Sequence, residues 1–219
     1  MEKRFHELVP LILLARMPVM MKFFEKHVYR YRHVKEDAVR PDEVYKDNII
    51  QNGEIHHAHS YKLEPDETGR LRWKDGDCLE TLKGRAALSA DLYRSGEYRL
   101  CCRFLCELTH YAVDAMTYPH LVHGRPWSDY HAHFEVEMAR WLDFNYTHLD
   151  PIAFEPVHDI YKSAADEARA LYPQAIDLVN RYVNGGQLSD AEMHALSVRI
   201  VKQVGCYWLT ISQAFGEEE

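Results

Sequence analysis

Between Thr109 and Glu135 the chain gathers five of its fourteen histidines and three carboxylates into 27 residues. His110 and Asp114 are four apart, and so are His131 and Glu135. On an α-helix, residues i and i+4 stand one above the other on the same face. The pattern therefore has a shared purpose if both stretches are helical. Each pair then aims an imidazole nitrogen and a carboxylate oxygen at one point. Such mixed donors suit zinc and its neighbours, whereas calcium and magnesium prefer oxygen shells. Two such pairs also arise by chance in a histidine-rich chain. With His120 between them and tryptophans flanking, a metal cluster is the favoured account.

The length of 219 residues fits one domain, and a 47% hydrophobic content is ample for a core. A net charge of −8 argues against an extended nucleic-acid-binding surface. It does not exclude a nuclease in which metals hold the phosphate. Five cysteines, Cys78, Cys101, Cys102, Cys106 and Cys206, are an odd number with three bunched on one predicted helix. They read as buried small hydrophobes and fit a reducing cytoplasm better than a disulfide framework. The apolar run Leu8–Ala15 is too short for a membrane span and is followed by Arg16, so the N-terminal stretch reads as a first helix.

Helical periods dominate. Helices are expected over 4–15 and 18–33, broken at Pro18, with Met20, Phe23, Phe24, His27 and Tyr31 as a core stripe. A short helix after Pro41 carries Asp42 in its first turn. From Gln51 to Asp77 the pattern dissolves into a long loop bearing His56, His57 and His59. Helices resume over 78–94 and 96–117, the second with Leu100, Phe104, Leu108, Tyr111 and Ala115 as its apolar seam. Pro119 ends that helix and delivers His120. Gly124-Arg125-Pro126 reads as a loop before a helix running to about 145. Segments near 155–171, 173–184 and 189–215 follow, the last opened by a Ser189…Glu192 capping box. The His158-Asp159 dipeptide resembles the pair of HD-type phosphohydrolases. Nothing else of that pattern is spaced around it, so a surface pair is preferred.

The order His110-x3-Asp114-x5-His120-x10-His131-x3-Glu135 resembles the zinc-dependent phospholipase C and S1/P1 nuclease superfamily. The likeness spans roughly residues 6 to 140. That family also has a Pro-Asp in its first third, matched by Pro41-Asp42. A histidine follows it there, matched by His56, His57 or His59, with His57 and His59 carried as candidates. An early histidine is matched by His6. The choice between His131 and His133 falls on His131, for the carboxylate four residues on.

The resemblance implies an all-α, single multi-helix domain over 1–219 with a long metal-binding loop and a cleft holding two or three divalent ions, zinc foremost. By that likeness Asp42, a loop histidine, His110 and Asp114 hold the first ion, and Asp47 is an alternative to Asp42. His120, His131 and Glu135 hold the second. Asp114 reaches towards a third, shared with His6. The family's N-terminal Trp, a third-ion ligand, has no counterpart here. Asp42 is the expected residue for orienting or deprotonating water, and Glu107, Tyr111 and Tyr130 are candidates to hold the imidazoles. The implied activity is hydrolysis of a phosphodiester: a small molecule, a phospholipid or a single-stranded nucleic acid, without insertion into a membrane. The alternative is a helical metal-binding protein that keeps the fold without hydrolysis.

Overall fold

A computed structural model of the chain describes residues 3–45, 48–51, 54–57, 61–74, 79–122 and 125–215. Side chains are described throughout these except at 44–45, 48–51, 54–57, 125–129 and 183. The architecture is predominantly helical, with two short antiparallel hairpins.

Helix α1 (Lys3–Arg16) buries Phe5, His6, Leu8, Val9, Ile12 and Leu13. With so much of its circumference apolar it becomes a central element, packed on later helices, as the reading of a first helix expects. Its exposed flank is pinned to α7 by a forked Arg4–Asp143 pair, Nε–Oδ2 3.1 Å and Nη2–Oδ1 2.7 Å. The expected single helix over 18–33 is two. Helix α2 (Pro18–Lys26) stops, Val28 takes a positive φ of 56°, and α3 (Tyr31–Ala38) begins. Tyr29 explains the break: it is buried edge-on against Phe24, and its hydroxyl donates to Asp37. A straight helix would not deliver it there, and no glycine or proline marks the turn. Of the expected stripe, Met20 and Phe24 are core, whereas Tyr31 is exposed.

Residues Pro41–Tyr45 form one wide helical turn, where a short helix was expected. The stretch read as a loop holds two hairpins. Strands β1 (Asn48–Gln51) and β2 (Glu54–His57) pair with Asn48 opposite His57. Strands β3 (Leu63–Pro65) and β4 (Leu71–Trp73) pair with Leu63 opposite Trp73. The Asp66 carboxylate closes the second turn, accepting from the Thr68 and Arg70 amides and from Arg72 Nε.

Helices α4 (Leu79–Arg94) and α5 (Tyr98–Asp114) form an antiparallel pair around a turn with Gly96 at φ 79°. The α5 seam differs from expectation in its first half. Leu100 is exposed and Phe104 partly so, and Cys101, Cys102, Leu105 and Cys106 face the core instead. These cysteines behave as the small hydrophobes anticipated; burial pushes the Cys101 thiol up to about 12. A short α6 (Tyr118–Leu121) carries His120, and Tyr118 ties it to α8 by donating to Gln174 Oε1 at 3.0 Å. Helix α7 (Arg125–Asn145) starts earlier than expected, with Pro126 tolerated in its first turn. Helix α8 (Ile160–Val183) runs through Pro173, where a break was expected, because Leu171, Ala175 and Leu178 are all locked into the core around it. Asp159 is its N-cap, accepting from Lys162 N at 3.0 Å, and His158 is exposed. The His-Asp dipeptide is thus a helix start.

Helix α9 (Asp190–Ser212) opens with the anticipated capping box. Arg181 and then the Ser189 amide hold Glu192 down to about 2. Its stabilising effect is present above the ordinary value of 4.5 and fades as pH falls towards 2. Glu192→Gln is expected to cost under about 1 kcal/mol at neutral pH, since the pair is solvent-screened. Urea denaturation should show that difference vanish below pH 2. Among the described residues, no helix is long and apolar enough to cross a membrane.

Candidate metal centre

Five elements converge on one buried cluster. Helix α1 contributes His6, the turn after α3 contributes Asp42, and the last turn of α5 contributes His110 and Asp114. His120 comes from α6, and His131 and Glu135 from α7. The groups His6–Asp42–His110, His6–Asp114–Glu135 and His120–His131–Glu135 each bring their ligand atoms within 4.8 Å of one another. Seven of the nine residues singled out in the sequence meet here. His57 is described only as backbone, and His59 lies outside the described residues, as does Asp47.

The groups alternate acid and imidazole. Asp42 Oδ1 lies 3.3 Å from His110 Nε2, which lies 3.3 Å from Asp114 Oδ2. Asp114 Oδ1 lies 3.5 Å from His6 Nε2 and 3.4 Å from His120 Nε2. Glu135 Oε1 is 3.7 Å from His6, 3.6 Å from His120 and 2.7 Å from His131. Apart from the last, these separations exceed good hydrogen bonds. Two atoms bound to one zinc ion at a tetrahedral angle stand about 3.3–3.6 Å apart. The residues therefore fit a divalent ion by donor chemistry and by spacing. The centre is buried, with Asp114 and His110 each 1% exposed, and opens at its ends, where Asp42 is 37% and His131 39% exposed.

The expected division of ligands is only partly met. His120, His131 and Glu135 form one group as anticipated. His6, expected only at a third ion, also stands with Asp42 and His110, its ring stacked on His110 at 3.9 Å. Glu135 reaches His6 as well, at 3.7 Å.

Electrostatics follow from the alternation. Burial alone would lower the His110 pKa, but Asp114 and Asp42 outweigh it and hold it well above the ordinary value. Burial opposes ionisation of Asp114, yet His120, His110 and His6 keep it well below the carboxylate range. Glu135 is likewise depressed against its burial by the imidazoles of His120, His131 and His6 around it, of which His131 is within hydrogen-bond distance. Metal-free protein thus carries a proton on His110 that an incoming ion must displace. Zinc binding is expected to release at least one proton and to weaken as pH falls. Calorimetry in two buffers of different ionisation enthalpy measures this; equal heats would contradict it.

His110 Nδ1 lies 2.8 Å from the Ala38 carbonyl, which fixes the ring by backbone rather than by the anticipated side chains. Tyr111 meets the His110 ring edge-on at 5.9 Å, and Tyr130 packs on Tyr182. Glu107, fully buried, turns instead to three arginines: Arg103 at 2.8 Å, Arg85 at 3.3 Å and Arg40 at 3.8 Å. Arg40 lies between Ala38 and Asp42, so this grip holds the segment that touches both nitrogens of His110. Glu107→Gln is expected to weaken zinc binding about tenfold, read by chelator competition. Two features escaped the sequence reading. Glu107 with Arg40 is one. The other is His133, which has its own carboxylate four residues on, Glu137 at 3.2 Å. That pair sits beside Tyr182, outside the cluster.

No protein-family model matches the chain, and no curated protein or solved structure matches it either.

Proposed function

We propose that this protein is a divalent-metal-dependent phosphoesterase, with zinc the leading ion, that hydrolyses phosphodiesters by activated water in the manner of phospholipase C or the P1-type nucleases. The observation that carries the reading is the continuous row Asp42–His110–Asp114–His6/His120–Glu135–His131, buried in the middle and open at both ends. Bound divalent ions would neutralise the phosphate, acidify water and stabilise the leaving oxygen.

The chain's own groups have separable tasks. His6, His110, His120 and His131 supply neutral donors, so the site does not become too anionic to accept a phosphate. Asp114 and Glu135, depressed and shared between imidazoles, set the positions of the nitrogens around them. Asp42, the more exposed carboxylate, is the group placed to orient water and take its proton.

Zinc-loaded protein is expected to cleave at least one of bis-p-nitrophenyl phosphate, phosphatidylcholine and single-stranded DNA. Asp42→Asn should reduce kcat by about 100-fold or more while metal remains at the His120–His131–Glu135 end. Full metal content without turnover on all three would favour the non-catalytic metal-binding alternative.

A further inference from the structure

We propose that the turn between α2 and α3 is a docking site for an anionic lipid surface. The turn is a Schellman motif: Tyr29 N donates to Phe24 O at 2.8 Å and Val28 N to Glu25 O at 3.0 Å. The left-handed position of that motif favours glycine, and here Val28 occupies it at φ 56°. A β-branched residue is strained in this conformation. Its side chain repays nothing to the core, being 55% exposed. Local structure and packing both argue against a valine here, so its presence points outward.

What surrounds Val28 identifies the partner. Tyr31, 58% exposed, lines the same groove of about 490 Å³, together with Met21, Arg30 and Arg32. An aliphatic and an aromatic side chain flanked by guanidinium groups match the boundary between acyl chains and headgroups. Between Lys22 and Lys35 there are five basic residues and one acidic residue, Glu25, in a chain of net charge −8. Arg32 also pairs with exposed Glu36 at 2.8 Å, a contact that solvent screens. The charge thus favours a negative bilayer, and the apolar pair favours lipid over nucleic acid. A second depression shares Tyr31 and Arg32 and reaches Glu7 and Glu43, the chain neighbours of His6 and Asp42.

The test is co-sedimentation with phosphatidylcholine vesicles, with and without phosphatidylserine. The protein should partition onto the serine-containing vesicles, less so as salt rises. Val28→Gly should lower the partition constant about tenfold, whatever the salt, with an unchanged or higher Tm, because glycine relieves the turn. Arg30→Gln/Arg32→Gln should lower it about thirtyfold at low salt and little at high salt. Failure of the parent to sediment, or equal sedimentation of Val28→Gly and parent, would overturn the proposal. So would binding of a single-stranded oligonucleotide through the same residues in preference to vesicles. Docking does not require hydrolysis, and turnover of a soluble phosphodiester by the parent decides the enzymatic reading separately.

Discussion

Asp114→Asn is expected to dismantle the metal centre while leaving its shape almost intact. The side chain is isosteric, but the charge that three imidazoles share is gone. Asp114 contacts His6, His110 and His120, more cluster residues than Asp42 or His131 touches. It is 1% exposed, so no water replaces what the carboxylate supplied. Breaking a buried pair of this kind costs about 3 kcal/mol. In a chain of this size that is roughly a 6–12 °C fall in Tm. Metal content should fall by at least one equivalent. A chelator that lowers the Tm of the parent should then have little further effect on the variant. A variant that kept the parent's metal and chelator sensitivity would move the centre elsewhere.

Gly205→Ala is the second large effect, and it tests the scaffold. Gly205 lies on the buried face of α9. A Cβ there would stand 2.2 Å from Phe154 Cε1, 2.3 Å from Phe154 Cδ1 and 3.1 Å from Leu13 Cδ2. Residues 150–158 run along α9 in irregular conformation, fastened by Val157 N donating to Thr210 Oγ1 at 2.8 Å. The missing side chain lets this stretch lie flat between α9 and α1. Alanine must displace the Phe154 ring, at a cost of about 3 kcal/mol. Its better helix propensity returns about 1 kcal/mol. A net loss near 2 kcal/mol should appear as a fall of about 4–8 °C in Tm. Gly84→Ala is the control: α4 offers open space there, and the same substitution should hold or raise Tm. Equal effects at the two positions would mean that propensity, not packing, governs both.

Much of the centre was legible because i,i+4 spacing converts directly into geometry. His110 with Asp114 and His131 with Glu135 needed only helices beneath them, and α5 and α7 supply these. Pro119 drew attention to His120, but it opens the short α6 rather than ending α5, whose last residue is Asp114. His6 and Asp42 came from resemblance rather than periodicity, and their joint contact with His110 had no local signal. It depends on where α1 packs, which no window of sequence contains. The Ala38 carbonyl could not have been found either, since every residue has one.

The errors of fold have equally specific causes. Strands β1 and β2 are four residues each, too short for alternation to stand out beside the stretch read as a loop. The α2–α3 break lacks glycine because Val28 holds the glycine position. Pro173 reads as a stop, but core packing on both sides of it overrides the local penalty. Glu107 reads as a polar residue near a metal site, and only the fold shows the three arginines that hold it.

If the buried acid–imidazole row holds divalent ions, the purified protein carries them. Elemental analysis of the purified, untagged protein tests it most directly, beside a His120→Ala/His131→Ala variant. The prediction is two or three equivalents of zinc or a neighbouring metal per chain, falling by about one in the variant. No retained metal, together with no rise in Tm on adding zinc, manganese or iron, would contradict it.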